Sequence, residues 1–296
     1  MLSYPKVLTI GSMYTENIFD GDVIIQEKVD GSLFRFGIDK DGQLVIGSKN
    51  TIFYGDNYPE MFKEAVEYVR SIKIDFPKEI YFYCEYLQKP KHNVLRYERV
   101  PKNHLVLFDC IYDGVWADME QLKKMANALD IDMIPVLYSG ESNIEIVGNL
   151  LNAKSYLGGE IVEGVVVKNY NQKIVLGGAV YPLFTKYVRE QFKERHKTDY
   201  KARERSGLEG INSYIDGFKT EARWQKAYQY LRDIGEIEKS PKDIGKLIKR
   251  VREDIVEEEK ENIKNELYKI FIDKILRRST HGLPEWYKKF LAESLK

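Results

Sequence analysis

The residues best suited to chemistry begin at Glu27-Lys28-Val29-Asp30-Gly31-Ser32. Lys28 closes an apolar run that starts Val23-Ile24-Ile25, Asp30-Gly31 is a turn signal, and Leu33-Phe34-Arg35-Phe36 resumes with strand alternation. Such a strand-turn-strand unit sets one amine at the mouth of a sheet, where it is a nucleophile if kept neutral. An ordinary hairpin with a solvated lysine has the same pattern, and Lys-x-Asp-Gly arises by chance in about one chain in ten of this length. Four further charges interrupt apolar stretches: Glu85 in Tyr83-Cys84-Glu85-Tyr86-Leu87, Glu163 and Lys168 flanking Gly164-Val165-Val166-Val167, and Lys186 in Phe184-Thr185-Lys186-Tyr187-Val188. A charge within an apolar strand is costly unless paired or bound to something. Each taken singly is more simply a solvent-facing position, and alternation puts Glu163, Val165 and Val167 on one face with Gly164, Val166 and Lys168 on the other. Four in one region, together with the lysine turn, resist that explanation.

The elements that must position these groups follow from periodicity. Strands are expected at 22–27, 33–38, 43–48, 79–87, 104–112, 161–168, 173–177 and 182–188, with Asp41-Gly42 turning a hairpin between the second and third. Helices are expected at 58–72, from the spacing of Met61, Phe62, Ala65, Val66 and Val69, and at 119–129, where Asp118 and Gln121 suit a capping box. Strands that follow one another without regular helical crossovers favour an α+β domain with antiparallel sheets. Past about residue 190, Ile244, Leu247, Ile248, Val251 and Ile255 form one helical stripe, and Ile263, Leu267, Phe271 and Ile275 another. Ser240-Pro241-Lys242-Asp243 reads as a helix start with Ser240 as cap. The expected organisation is a mixed domain over residues 1–195 and an all-α domain over 196–296.

Composition sets the class. With 43% apolar and 31% charged residues in 296, the chain is that of a soluble globular protein. Formal net charge is zero, and from His196 onward 23 Lys/Arg stand against 19 Asp/Glu, so contact with nucleic acid must come from local patches. Lys246, Lys249 and Arg250, or Arg277 and Arg278, are candidates that serve equally as solvated helix faces. No apolar run approaches a membrane span, and the N-terminus lacks the apolar core of a secretory signal. Cys84 and Cys110 sit in apolar runs far from any CxxC spacing, which suits reduced core thiols in a cytoplasmic protein without a zinc site. His92 and His104 read as loop and strand-entry residues.

Taken in order, the charged stretches resemble the six collinear motifs of covalent nucleotidyltransferases, the polynucleotide ligases dependent on ATP or NAD and the GTP-dependent RNA capping enzymes. Lys28-Val29-Asp30-Gly31 is similar to their nucleophile motif, Ser48-Lys49 to the next and Glu85 to the third. Phe108-Asp109, Glu163-Gly164 with Lys168, and Lys186 are similar to the rest, and the resemblance spans about residues 20–195. The run Glu85-Tyr86-Leu87-Gln88-Lys89-Pro90, with Pro101-Lys102-Asn103-His104 and Leu107-Phe108-Asp109, looks most like RNA ligases of the T4 RNA ligase 2 type.

That resemblance implies a nucleotidyltransferase fold for residues 1–195, ATP as co-substrate, Mg2+ or Mn2+, and an RNA partner, nicked or duplex, held partly by the helical region. It implies that Lys28 carries AMP, with Lys168 and Lys186 lowering its pKa and offsetting phosphate charge. Glu163 is the implied metal ligand, directly or through water, with Asp30 a secondary candidate. Glu85 would bind a ribose hydroxyl, Phe108 would stack on adenine, Glu27 would lie beside the base with Val29 adjoining, and Lys49 would meet a phosphate. Three positions depart from the pattern: Lys49 stands where many relatives have Arg, Phe184 where a second lysine is common, and Leu33 where DNA ligases tend to have Arg. Arg35, on the same strand face, is a candidate substitute for the last. DNA ligases and capping enzymes carry a β-rich OB domain after the last motif, so the helical periodicity favours an RNA ligase. A catalytically inactive nucleic-acid-binding relative is the other alternative, against which stand Lys28, Glu85, Glu163 and Lys186.

Overall fold

The computed structural model describes residues 3–12, 14–176, 178–189, 192 and 208–294. Strands are β1 (Leu8–Thr9), β2 (Val23–Lys28), β3 (Ser32–Ile38), β4 (Leu44–Ser48), β5 (Ile52–Phe53), β6 (Ile80–Tyr86), β7 (Leu105–Tyr112), β8 (Val115–Trp116), β9 (Asp132–Met133), β10 (Val136–Gly140), β11 (Gly164–Leu176) and β12 (Ala179–Val188). Helices are α1 (Lys63–Ser71), α2 (Met119–Ala128), α3 (Ile144–Leu150), α4 (Leu208–Asp216), α5 (Glu221–Asp233), α6 (Asp243–Ser279) and α7 (Leu283–Ser294).

Two sheets result, ordered β1-β12-β11-β2-β10 and β5-β4-β3-β6-β7-β8, with β9 beside β7. Pairing is antiparallel except at the short strands β1 and β9. Alternation gives each sheet one apolar face. In the second sheet Phe34, Phe36, Phe82 and Cys84 point toward Ala65, Val66 and Val69 of α1 and Leu122 and Ala126 of α2. In the first, Ile25, Val165, Val167 and Leu183 pack on Val147 of α3. The remaining faces look at each other across a groove. The chain first crosses between the sheets where β2 ends at Lys28, Val29-Asp30-Gly31 turns, and β3 begins at Ser32, and it returns between β9 and β10. The mixed architecture with antiparallel sheets and a helical C-terminal region is therefore the α+β fold expected.

Several elements differ in detail. The segments expected at 161–168 and 173–177 are one strand, β11, whose register with β12 slips between Asn169 and Lys173. The helix expected from residue 58 starts at Lys63, because Pro59 leads into a tight turn over Glu60–Phe62. The Asp118–Gln121 capping box is formed at 2.8 and 2.9 Å. Strand β10 and helix α3 were not expected; both are short, and Pro135 and Asn143 bound them more clearly than any apolar period does.

The helical region differs more. Both apolar stripes fall on the single helix α6, and much of each faces solvent: Ile244 is 56%, Ile248 48% and Ile275 58% exposed. Helix α6 meets α5 through charge instead, since fully buried Arg223 pairs with Asp254 and with Glu259, and Lys226 bonds Asp254 at 2.8 Å and Glu258 at 2.7 Å. At its start Lys242 holds the cap position without a side-chain cap bond; Ser240 Oγ accepts from the Lys242 amide at 3.3 Å, and the Asp243 carboxylate reaches back to accept from the Glu238 and Ser240 amides. The boundary expected at 195/196 lies outside the described residues. Cys84 and Cys110 are unpaired and fully buried, and burial pushes both thiols up.

Two glycines of the chemistry-bearing stretches are demanded by close approach. A Cβ on Gly31 would stand 2.6 Å from the Tyr86 carbonyl oxygen, and one on Gly164 would stand 2.5 Å from that of Tyr187. The Gly164→Ala change should therefore cost about 1–3 kcal/mol through forced backbone shifts. Gly148→Ala, in α3 where an added methyl meets nothing, should stabilise by up to about 1 kcal/mol. Denaturant midpoints of the two variants should move in opposite directions.

Candidate active site

Lys28 ends β2 directly across from Gly164 of β11. Its Nζ donates to both carboxylate oxygens of Glu163 at 2.7 Å. Strict alternation would turn Glu163 away from this face. The strand begins only at Gly164, however, so Glu163 is free of the pleat and its carboxylate reaches the amine. Glu85, on β6 beside Leu33 of β3, faces the same space. Lys28, Glu85 and Glu163 line one groove of about 620 Å3, together with Lys49, Lys186 and the N-terminal segment Ser3–Val7.

The electrostatics follow from this crowding. Burial acts to lower the Lys28 pKa, but Glu163, followed by Glu85 and Asp30, overrides it and holds the ammonium well above its ordinary value. Burial pushes the Glu85 carboxyl up to about 8, so it is protonated at neutral pH. Burial raises Glu163 as well, with Lys28 opposing. Lys28, Lys49 and Lys186 stand with Glu85 and Glu163 in this part of the groove, and Glu163 is the carboxylate fit to hold a divalent cation there. Among the described residues there is no cluster of three or more ligating side chains. The set instead suits a hard cation that keeps most of its waters.

Asp30 does not join that set. Its carboxylate accepts from the Val94 and Leu95 amides at 2.7 and 2.8 Å and from Asn93 Nδ2 at 3.2 Å, while its own amide donates to Tyr97 Oη at 2.8 Å. It fastens the turn after Lys28 to the 93–97 loop, and its oxygens are already engaged. Ser32, next along, lies against His92 Nε2 at 3.0 Å. The Gln88 amide donates to His92 Nδ1, so the ring proton sits on Nε2 and points to Ser32 Oγ. Burial, with Arg232 and Lys89, pulls the His92 pKa down to about 3, so the ring is neutral.

Lys168 also departs from expectation. It pairs in register with Ile24, four residues along β2 from Lys28, a separation of roughly 13 Å at strand rise. Its Nζ bonds Asp109 at 2.8 Å and the Phe108 carbonyl at 2.7 Å, and both partners of the ion pair are almost fully buried. Burial pulls its pKa down while Asp109 holds it up. It thus lies beyond the residues that line the groove and is too distant to tune Lys28 by contact. Lys186, opposite Val166, lies nearer and acts on Glu163.

The surroundings of Lys168 are aromatic. Between β6 and β7 the register slips, Tyr83 facing Asp109 and Cys84 facing Leu107, so Phe108 is an unpaired bulge residue. A bulge re-aims side chains. Phe108 and Phe184 place their rings 5.3 and 5.6 Å from Lys168 Nζ. Phe184 is buried beside Tyr4, Trp116 and Tyr170, a setting in which a second lysine would lack solvent. Tyr4 and Tyr170 donate to Asp109 at 2.8 and 3.0 Å. Glu27 is on the opposite face of β2, where Oε2 accepts from the Tyr156 amide at 3.0 Å. Burial raises its pKa. Val29 is buried among Leu87, Leu95 and Tyr97. Lys49 is exposed on the rim. Arg35 donates to the Ser48 carbonyl at 2.7 Å and to Ser3 at 3.3 Å.

Sequence reasoning missed Tyr4, Asn93, Tyr97 and Arg232, none of which belongs to a periodic pattern. Arg232, in the last turn of α5, donates to Ser32 Oγ at 2.8 Å, Asn93 Oδ1 at 2.9 Å and the His92 carbonyl at 3.3 Å. The helical region is thereby pinned to the turn behind Lys28. Its only signal in the sequence is a charge at a helix C-terminus.

Two outcomes test the electrostatics. Glu163→Gln removes the main pull on the Lys28 ammonium while burial still pushes its pKa down. Labelling of Lys28 by an amine reagent in the metal-free protein, read by mass spectrometry, should therefore quicken by on the order of tenfold or more. The Glu85 carboxyl titrates near its ordinary 4.5 when unfolded and near about 8 when folded. Its contribution is thus fully present below pH 4.5 and lost as pH rises to about 8. Stability of the native chain relative to Glu85→Gln should fall across that window and then level off.

The geometry can be set beside known proteins. A profile described as RNA ligase matches residues 21–188, more than half of the chain. Among curated proteins none matches. Solved structures that match include a Naegleria gruberi RNA ligase variant with ATP and Mn (14% identity, TM-score 0.43) and the same organism's RNA ligase with PPi (14%, TM-score 0.44). Each alignment covers 62% of this chain and 56% of the other, so the chain spans little more than half the length of those ligases. The matched interval contains Lys28, Glu85, Phe108, Glu163 and Lys168 and ends at Val188, just past Lys186, and on that ground the chain belongs to the RNA ligase family.

Proposed function

We propose that this protein is an ATP-dependent RNA ligase that joins RNA 3′-hydroxyl and 5′-phosphate ends through lysyl-AMP and adenylylated RNA. The observation that carries this reading is Lys28: its amine ends an otherwise buried strand, opens into a groove, and is held by Glu163 at 2.7 Å. In the first step the neutral amine attacks the α-phosphorus of ATP; a nitrogen–phosphorus bond forms, the bond to the bridging β-phosphate oxygen breaks, the nitrogen gives up a proton to solvent, and pyrophosphate leaves. An oxygen of the RNA 5′-phosphate then takes the AMP as the nitrogen–phosphorus bond breaks and the Lys28 nitrogen regains a proton. Finally the 3′-hydroxyl attacks the 5′-phosphorus, loses its proton and releases AMP.

The amine must first lose its proton, which the carboxylates around it resist. A divalent cation, Mg2+ or Mn2+, held by Glu163 directly or through water supplies the positive charge that offsets that resistance. Lys186 and Lys49, which line the same groove, offset phosphate charge. Phe108, aimed by its bulge, offers a face for adenine, with Glu27 and Val29 behind the strand that carries Lys28. Lys168 holds Asp109 and Phe108 in place at the base end and is a positioning residue, not a phosphate ligand. Glu85, protonated at neutral pH, donates to a ribose hydroxyl as readily as it accepts. Asp30 keeps the nucleophile turn rigid.

A DNA ligase or capping enzyme is the competing reading. The elements described past Val188 are helices α4 to α7, with no strand among the described residues there, and this favours RNA ligase over enzymes built with an OB barrel. Among the described residues no helix is long and apolar enough to cross a membrane, and the buried free thiols suit a cytoplasmic setting. Incubation with radiolabelled ATP and Mn2+ should give an acid-stable adenylate on the protein that disappears in Lys28→Ala. Label retained in that variant would sink the assignment, and label from GTP alone would point to capping. Nicks flanked by ribose should be sealed at least about tenfold faster than all-DNA nicks.

A further inference from the structure

Three of the cations that periodicity suggested for nucleic acid are already engaged. Lys246 bonds Glu238 at 3.0 Å, Lys249 faces Glu253 at 3.9 Å, and Arg250 holds Glu257 at 2.8 Å. The groove over Lys28 is walled on its helical side by Asp233, Asp254, Glu257 and Glu258, with Lys226 and Arg250 paired to three of them. Such a wall offers little attraction to a polyanion. Phosphates extending beyond the reacting end need another route.

A second groove, of about 1150 Å3, lies on the far side of the Ser32–His92–Arg232 junction, between the 88–93 loop, the 57–61 segment and the end of α5. Its charged lining is Lys89, Lys91, Arg96, Arg232 and Lys239 against one acid, Glu60. Arg232 is committed to the junction. Lys89, Lys91, Arg96 and Lys239 are exposed, and none of them forms an ion pair among the described residues. Tyr228 adds a ring, 39% exposed, on the helical side of the same groove. Cations without carboxylate partners beside an accessible aromatic ring are what a nucleic-acid backbone with an unpaired base requires.

We propose that this second groove is the track of the substrate RNA, its phosphates meeting Lys89, Lys91, Arg96 and Lys239 and a base meeting Tyr228. This rests on the ligase reading for the identity of the strand, but not for the existence of the track. The geometry gives the helical region a specific share in RNA binding: the end of α5 and Lys239, rather than the face of α6. It also places the track one hydrogen-bonded junction away from the turn that carries Lys28.

The test uses the full chain and two fluorescein-labelled probes, a nicked RNA duplex and a single-stranded RNA of the same sequence. Charge reversal in Lys89→Glu with Lys91→Glu should weaken binding by at least about tenfold and make the salt dependence shallower by ~1.4–1.8 in log–log slope for two lost phosphate contacts. Formation of lysyl-AMP from labelled ATP should be unchanged in the same variant, and Lys249→Glu on α6 should leave both measurements unchanged. Tyr228→Ala should weaken the single-stranded probe more than the duplex. Unchanged affinity and slope in the double variant overturn the inference. If the native chain forms no lysyl-AMP yet the double variant still loses RNA, the ligase reading falls and the track stands.

Discussion

The contact between Lys28 and Glu163 depends on two sheets meeting at one place. Lys28 is the last residue of β2 in one sheet, and three residues later the chain is in β3 of the other. Glu163 precedes β11, the strand that pairs with β2, so the same register that aligns Gly164 with Lys28 delivers the carboxylate. Gly164 must lack a side chain because Tyr187 of β12 passes behind it. Nucleophile, counter-charge and glycine are thus one constraint, and the rest of the groove is built outward from it.

The space between the sheets is graded along the strands. At the Lys28 end Glu163 holds the ammonium, and burial drives Glu85 toward its neutral form. At the other end Lys168 and Asp109 form a nearly solvent-free ion pair ringed by Tyr4, Phe108, Tyr170 and Phe184. An isolated charge at either position would be costly. The two ends solve that problem differently: one by a saturated pair that fixes shape, the other by neutralising Glu85 and pairing Glu163 with Lys28. Aromatic shape at one end and accessible lysines at the other suit a nucleotide, with its flat base and charged tail.

Much of the mixed region was legible in the sequence because alternation and turn chemistry are local. The strands around Lys28, Glu85 and Lys186, and the capped helix at Met119, lie close to their expected places. What was not legible is whatever depends on register. The bulge at Phe108, the four-residue offset of Lys168 from Lys28, and the release of Glu163 from the pleat are set by which residue faces which across strands. Asp30 looked like a ligand because its type and position fit; only the folded 93–95 loop shows its oxygens engaged. In the helical region periodicity identified helices correctly but not their partners. Helices α5 and α6 join through Arg223, Lys226 and Asp254, leaving apolar positions of α6 in solvent.

The two cysteines have a practical meaning. Cys84 and Cys110 are the chain's only thiols, both lie in the core of the second sheet, and burial keeps them protonated. A buried, protonated thiol is a poor nucleophile. Toward a maleimide the native fold therefore behaves as a cysteine-free protein, and a single thiol introduced at an exposed position such as Lys239 would carry a dye or spin label without background. Optical or magnetic readout of how RNA approaches the end of α5 is thus available without first stripping the core of its sulfur.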